Sequence, residues 1–255
     1  METIVKQTRE LGTSAGVLLP RSWLNKQVVV TLFSPSNVEM IKDILEILIE
    51  NKLNEQIKGI YLYGSYARVD YDSESDRDIL VITKSVNKSL KHKNYEITLV
   101  SEANFAKNLS NLYYASMLKE IKTLLNEELI EKYLSKKSTL NIQKVLKEIE
   151  SVIKINKETV ELLKNKNKNI PDGVVYSIVL RLRELYTLKC LKLNRLYNRN
   201  DFIKITGEKI YSSYSRIKKD GKELSQISPD EIIDLLDLSE KWLKELKGSK
   251  KGLKV

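Results

Sequence analysis

At 255 residues, with 42% apolar and 31% charged side chains, the chain is long enough for two domains and has the balance of an ordinary soluble globular protein. No apolar run approaches the roughly 18 residues needed to cross a membrane, and the start, METIVKQTRE, lacks the apolar core of an export signal, so a cytoplasmic location is expected. A single cysteine, Cys190, and a single histidine, His92, exclude a disulfide framework, a Cys-rich zinc site and any mechanism that needs two histidines. Cys190 sits among Leu188, Leu191 and Leu193 and reads as a buried thiol, and His92 in the polar stretch Ser89–Asn94 reads as a surface-loop residue.

The net charge of +10 is unevenly placed. Residues 1–135 hold 17 basic and 18 acidic side chains, whereas residues 136–255 hold 27 and 16. A basic back half suggests a polyanionic partner, RNA first, against the competing reading of a solvated lysine-rich surface.

In chain order, Glu2–Arg9 alternates, residues 11–16 make a glycine-punctuated turn, and Val17–Pro20 and Gln27–Phe33 read as short β segments. Residues 34–37 break the chain and offer an N-cap. Val38–Leu53 then has apolar residues at helical spacing. Lys58–Tyr63, Asp78–Thr83 and Tyr95–Val100 read as strands, and Glu102–Leu109 and Tyr113–Leu134 as helices. Beyond residue 138 the pattern is helical: Ile142–Asn165, Val174–Leu196, a helix near Lys204–Lys219 and another near Ser228–Lys247, with a frayed tail from Gly248. The fold class is α+β, organised as a β-hairpin module (1–34), an α/β domain (36–135) and an all-α helical bundle (138–248).

The chemistry concentrates in residues 63–83, YGSYARVDYDSESDRDILVIT. A strand runs into Gly64-Ser65, and after ten residues Asp76-Arg77-Asp78 opens another strand. Transfer of a phosphorus-bound group needs a triphosphate held by backbone N–H groups at a helix start. A glycine lets that backbone come close, and a serine hydroxyl adds a donor. It also needs two carboxylates that hold Mg²⁺ between phosphates. Asp76 and Asp78 are two apart, so on a strand both face one side.

This string resembles the nucleotidyltransferases of the DNA polymerase β superfamily: Gly64-Ser65, then Ala67-Arg68, then Ser75-Asp76-x-Asp78 and the apolar strand Ile79–Ile82. Within it the minimal nucleotidyltransferases are most similar, antitoxins of two-gene systems that adenylylate a partner protein. The resemblance spans roughly residues 40–130. It implies Asp76 and Asp78 as catalytic metal ligands, Gly64, Ser65 and Arg68 as nucleotide contacts, with an ordinary ion pair as the alternative role of Arg68, and Mg²⁺ and ATP as cofactor and substrate. Two positions depart from the pattern. Val69 stands where the family often has glycine, and Thr98 stands where it usually has a third carboxylate. Glu96, two residues earlier on the same face, is the expected replacement, reaching in from about 7 Å along the strand. Arg77 points to the opposite face, where pairing with an acid is expected.

Residues 3–33 resemble the AbrB/MazE-like swapped-hairpin family through Gly12, Ser14, Gly16, Val17, Leu19 and Pro20. That resemblance implies a homodimer, with Lys6, Arg9 and Arg21 displayed to DNA, or a dimerisation module that touches none. Residues 140–247 faintly resemble the helical HEPN toxins, but no histidine follows residue 92 to supply their RNase motif. Tyr211, Tyr214 and Arg216 are candidates for an acceptor surface, against plain packing roles. The expected activity is AMP transfer to a hydroxyl of a protein partner, possible toxin included. RNA and small-molecule acceptors, or a DNA-binding regulator that only senses nucleotide, are the alternatives.

Overall fold

The computed structural model describes residues 4, 6, 8–30, 35–72, 75–135 and 140–248. In the front segment, β1 (Arg9–Leu11) and β2 (Ser14–Gly16) form a small antiparallel hairpin around Gly12, whose φ of +59° suits glycine. The rest differs from the sequence reading. Val17–Pro20 and residues 27–30 carry no strand, and residues 31–33 of the expected second strand lie outside the described residues. Leu11, Leu18, Leu24 and Val28–Val30 are all exposed, since a piece this short has no interior to bury them in.

α1 (Asn37–Glu50) starts with a reciprocal cap: Glu39 N–H donates to Ser36 Oγ at 3.2 Å and Ser36 N–H to the Glu39 carboxylate at 2.7 Å. It buries Met40, Ile44, Ile47 and Leu48, one stripe at helical spacing. β3 (Ile57–Tyr63) leads into the short α2 (Gly64–Arg68), followed by β4 (Arg77–Thr83), β5 (Lys88–His92) and β6 (Tyr95–Ser101). Next come α3 (Glu102–Asn108), α4 (Leu112–Glu120), β7 (Lys122–Leu125) and α5 (Glu127–Leu134).

Among the described residues these strands form one sheet in the order β5-β6-β4-β3-β7, with β4 and β6 parallel and the other pairs antiparallel. α1 covers one face, packing on Ile60, Leu62, Ile79, Val81, Ile97 and Leu99. α3, α4 and α5 cover the other through Phe105, Leu109, Met117, Ile130 and Tyr133, which meet Tyr61, Leu80, Ile82 and Val100. β4 is buried on both sides, which is why its sequence is an unbroken apolar run.

Two local readings are corrected here. Tyr113–Leu134 is not one helix: α4 ends at Glu120, and residues 122–125 pair with β3 instead. Asn126, at φ +66°, restarts the helix by accepting from Leu129 N–H, and its amide donates to Lys58 O at 2.7 Å. Lys88–His92 is a strand, not a loop. Its Leu90 sits opposite Ile97 and packs against the α1-side core, while its lysines lie along the sheet edge and discourage further pairing. His92 accordingly ends an edge strand.

The helical bundle comprises α6 (Ile142–Asn165), α7 (Asp172–Lys192), α8 (Arg199–Thr206), α9 (Glu208–Lys218) and α10 (Pro229–Lys247). α7 is its axis, burying Val175, Ile178, Val179, Leu182, Leu185 and Leu188 as well as Cys190. The expected helix near 204–219 is two helices, separated at Gly207, whose φ of +77° ends α8. Asp172, the first residue of α7, is fully buried. It accepts from Ser213 Oγ at 2.5 Å and Leu224 N–H at 2.8 Å, and pairs with Arg216 at 3.2 Å. Arg216 is therefore engaged in the fold, and Tyr214, 3% exposed, stacks on Tyr176 and accepts from Arg183 at 2.9 Å. No helix among the described residues is long and apolar enough to cross a membrane.

Candidate active site

The site is built where β3 turns into α2, beside the start of β4. Gly64 has φ +74°, and a Cβ placed on it would overlap the Asp78 carboxylate. Glycine is needed twice there, for the backbone angle and for the close approach of Asp78. Across the sheet, Asp78 pairs with Tyr63 on β3 and with Glu96 on β6. Neighbouring strands lie about 4.8 Å apart, so Glu96 stands level with Asp78 and need not reach along the strand as the sequence suggested. Thr98 lies beside Leu80, one residue pair deeper. Its Oγ1 is 3.4 Å from Tyr63 Oη, which accepts from Tyr113 Oη at 2.9 Å, so hydroxyls line the place the resemblance gave to a carboxylate.

Asp76 precedes β4, with its side chain 37% exposed and 4.0 Å from Lys91 Nζ. Asp78 is more enclosed. Burial, with added repulsion from Glu96 and Asp76, pushes its carboxyl up to about 7, against the opposing charges of Lys218 and Arg68. Arg77 faces the α1 side of the sheet. Its guanidinium lies 5.2 Å over the Tyr66 ring and 5.1 Å over the Tyr95 ring, an aromatic sandwich in place of the expected acid.

Gly64 N–H and Arg68 meet at one carboxylate. Gly64 N–H donates to Glu120 Oε1 at 2.9 Å, and the same carboxylate accepts from Arg68 at 2.6 Å. Arg68 also bonds Asp70 at 3.1 Å and covers the Tyr197 ring at 5.1 Å. With side chains only 10% and 7% exposed, Arg68 and Glu120 form a buried ion pair that braces the turn. Ser65, half-buried in the first turn of α2, is not drawn into that pair.

Val69 caps α2 at φ +64°, ψ +31°, a conformation that costs a β-branched residue about 1–2 kcal/mol. Val69→Gly removes that strain and adds about 0.5–1 kcal/mol of chain entropy cost. Val69 is exposed, so little burial is lost. The expected result is a small rise in melting temperature, and a fall would show that the Val69 side chain stabilises the loop.

Among the described residues no three His, Cys, Asp or Glu side chains converge into a metal cage. The donor set fits a magnesium ion nonetheless. Such an ion takes one or two carboxylates and completes its shell with substrate phosphates and water, and Asp78 is an enclosed acid that a cation would neutralise. Lys6 and Arg9 border a shallow pocket with Thr8 and Leu18 in the front segment, and Arg21 sits exposed in a short turn, Arg21–Trp23. Glu120, Arg199, Lys218 and Tyr63 were not singled out from sequence. Nothing local marks an acid at a helix end, or an arginine 129 residues beyond Asp70, as part of this site.

The sequence model of the family described as "Nucleotidyltransferase domain" matches residues 41–170, just over half of the chain, through the first helix of the bundle. A relative from Methanocaldococcus jannaschii, named as a proposed protein adenylyltransferase, is 40% identical over 65 residues. That match covers 23% of this chain and 65% of the relative, less than two thirds of its length. Among solved structures, a nucleotidyltransferase-like protein from Exiguobacterium sibiricum is similar with a TM-score of 0.33 and 16% identity, over 81% of this chain and 75% of that one. The spectinomycin adenyltransferase AAD(9) of Enterococcus faecialis, solved with ATP and spectinomycin, is similar with a TM-score of 0.41 and 13% identity, over 82% and 98%. The extent of the family match, over residues that build the Gly64–Asp78 turn and its sheet, makes this chain a member of the nucleotidyltransferase domain family.

Proposed function

We propose that the protein transfers AMP from ATP to a hydroxyl of a partner protein. The observation that carries this reading is the juxtaposition of Gly64 and Asp78, with Glu96 level on the next strand. Asp76 and Asp78 would hold magnesium, which when bound screens the phosphate charge and withdraws electron density from the α-phosphorus. Ser65 would orient the triphosphate. The acceptor oxygen bonds to the α-phosphorus, the bond to the bridging oxygen of pyrophosphate breaks, and Glu96 takes the acceptor proton. A protein acceptor is favoured by the name of the Methanocaldococcus jannaschii relative, and a cognate toxin would be one such partner.

The exposed front segment favours a second reading, a self-associating module that places Lys6, Arg9 and Arg21 on DNA. Both are tested by incubating purified protein with Mg²⁺ and each α-³²P-labelled nucleoside triphosphate, with a lysate of the source cells as acceptor. Label from ATP on one protein band, absent in Asp76→Ala, is the expected outcome. Label on RNA would change the acceptor class. No label from any nucleotide would sink the transferase reading and leave the DNA-binding regulator, to be tested by salt-sensitive duplex binding that Arg9→Ala abolishes.

A further inference from the structure

The loop from α2 to β4 carries the approach to Asp76, and its described residues are tied to the helical bundle. Arg199, the first residue of α8, holds it at three points. Its backbone N–H donates to Asp70 Oδ2 at 3.0 Å. Its guanidinium pairs with Asp72 at 2.7 Å and reaches Ser75 Oγ at 3.5 Å. The remaining Nε donates to Tyr211 Oη at 3.3 Å, and the guanidinium lies 5.7 Å from the centre of that ring, which fixes the arginine to the bundle side. Asp70 Oδ2 also accepts from Arg68, so the chain of contacts runs on through Glu120 to the backbone of Gly64. Both ends of the loop are thereby referenced to one residue: the strained Val69 end through Asp70 to the Arg199 backbone N–H, and the Ser75-Asp76 end to its guanidinium.

We propose that Arg199 is a positioning residue for nucleotidyl transfer, a clamp by which the helical bundle sets the loop that places Asp76 relative to Gly64 and Asp78. The clamp rests on the transferase reading above for its catalytic consequence, and on the geometry alone for its effect on the loop. A planar fork is what the site uses: separate nitrogens go to Asp72, Ser75 and Tyr211, which a lysine ammonium on a flexible stem cannot reproduce. The bundle then does more than bear an acceptor. It completes the catalytic loop, so an acceptor that shifts α8 alters the site without touching nucleotide.

The test compares wild type with Arg199→Met, Arg199→Lys and Asp72→Asn. In protein free of metal and nucleotide, amide hydrogen exchange across residues 69–77 is expected to accelerate at least about tenfold in the Met and Asn variants while the β3, β6 and α7 amides keep their protection. Lysine should restore little of it. In transfer assays kcat should fall on the order of 10²-fold, the effect of a small misplacement of reacting groups, with KM for the donor nucleotide moving less. Unchanged exchange in the loop, or a kcat within twofold of wild type despite a loosened loop, would overturn the proposal. If Arg199→Met does not fold, Asp72→Asn, whose side chain is 46% exposed, carries the same readouts. If wild type transfers nothing from any nucleotide, the transferase reading fails and the exchange measurement still decides the clamp.

Discussion

Asp78→Asn is expected to cut nucleotidyl transfer by on the order of 10³-fold and, at pH 8, to raise the melting temperature. The two effects have one cause. Asp78 is enclosed beside Glu96 and Asp76, and its carboxyl is pushed up to about 7. Its folded pKa therefore lies above the unfolded value near 4. Between those limits the folded chain keeps a proton that the unfolded chain has released, so stability falls as pH rises through that window and levels off above 7. Asparagine mimics the protonated acid in shape and stays neutral. The stability of the variant relative to wild type should be near zero below pH 4, grow between pH 4 and 7, and reach about 4 kcal/mol above it. Thermal unfolding of both proteins from pH 4 to pH 8 measures the difference directly. A constant offset across that range would mean that Asp78 is not the strained acid described here. A variant that keeps transferring would remove Asp78 from the site.

The second large effect concerns the brace beneath the turn. Arg68→Met leaves the Glu120 carboxylate enclosed, with Gly64 N–H as its remaining partner among the contacts described, and should destabilise the protein by about 3–5 kcal/mol. Removing both charges in Arg68→Met/Glu120→Met should recover at least half of that loss, because Glu120 no longer leaves a buried charge alone, and Asp70 keeps the Arg199 N–H. Activity should not recover with it, since the Gly64 backbone has lost the acceptor that fixes it. Denaturant midpoints give the stability cycle and the transfer assay gives the rest. Additive losses in the double variant would show that Arg68 and Glu120 act independently.

Much of the sheet was legible in the chain because each strand carries a local signal. Residues 79–82 form an apolar run that only a doubly covered strand can bury, and α1 announces itself through its cap and its stripe. β5 was illegible because a single inward side chain, Leu90, makes its pattern. β7 was missed because α4 and α5 flank it with helix-forming residues, and only pairing with β3 selects the extended form. The break at Gly207 was written in the sequence but was outweighed there by the apolar spacing around it.

The site divides along the same line. By itself the sequence determined the Gly64-Ser65 turn, the Asp76-x-Asp78 spacing and the strand that follows, because backbone angle, close approach and strand periodicity are properties of neighbouring residues. It also carried the membership in the nucleotidyltransferase domain family. Only the tertiary structure decided that Glu96 stands level with Asp78, that Glu120 occupies the Gly64 N–H and pairs with Arg68, and that Arg199 holds the loop from the bundle. Those contacts join residues 18 to 129 positions apart, and what selects them is the cost of leaving a buried charge or N–H unpaired. That cost exists only once the sheet and the bundle have closed around it.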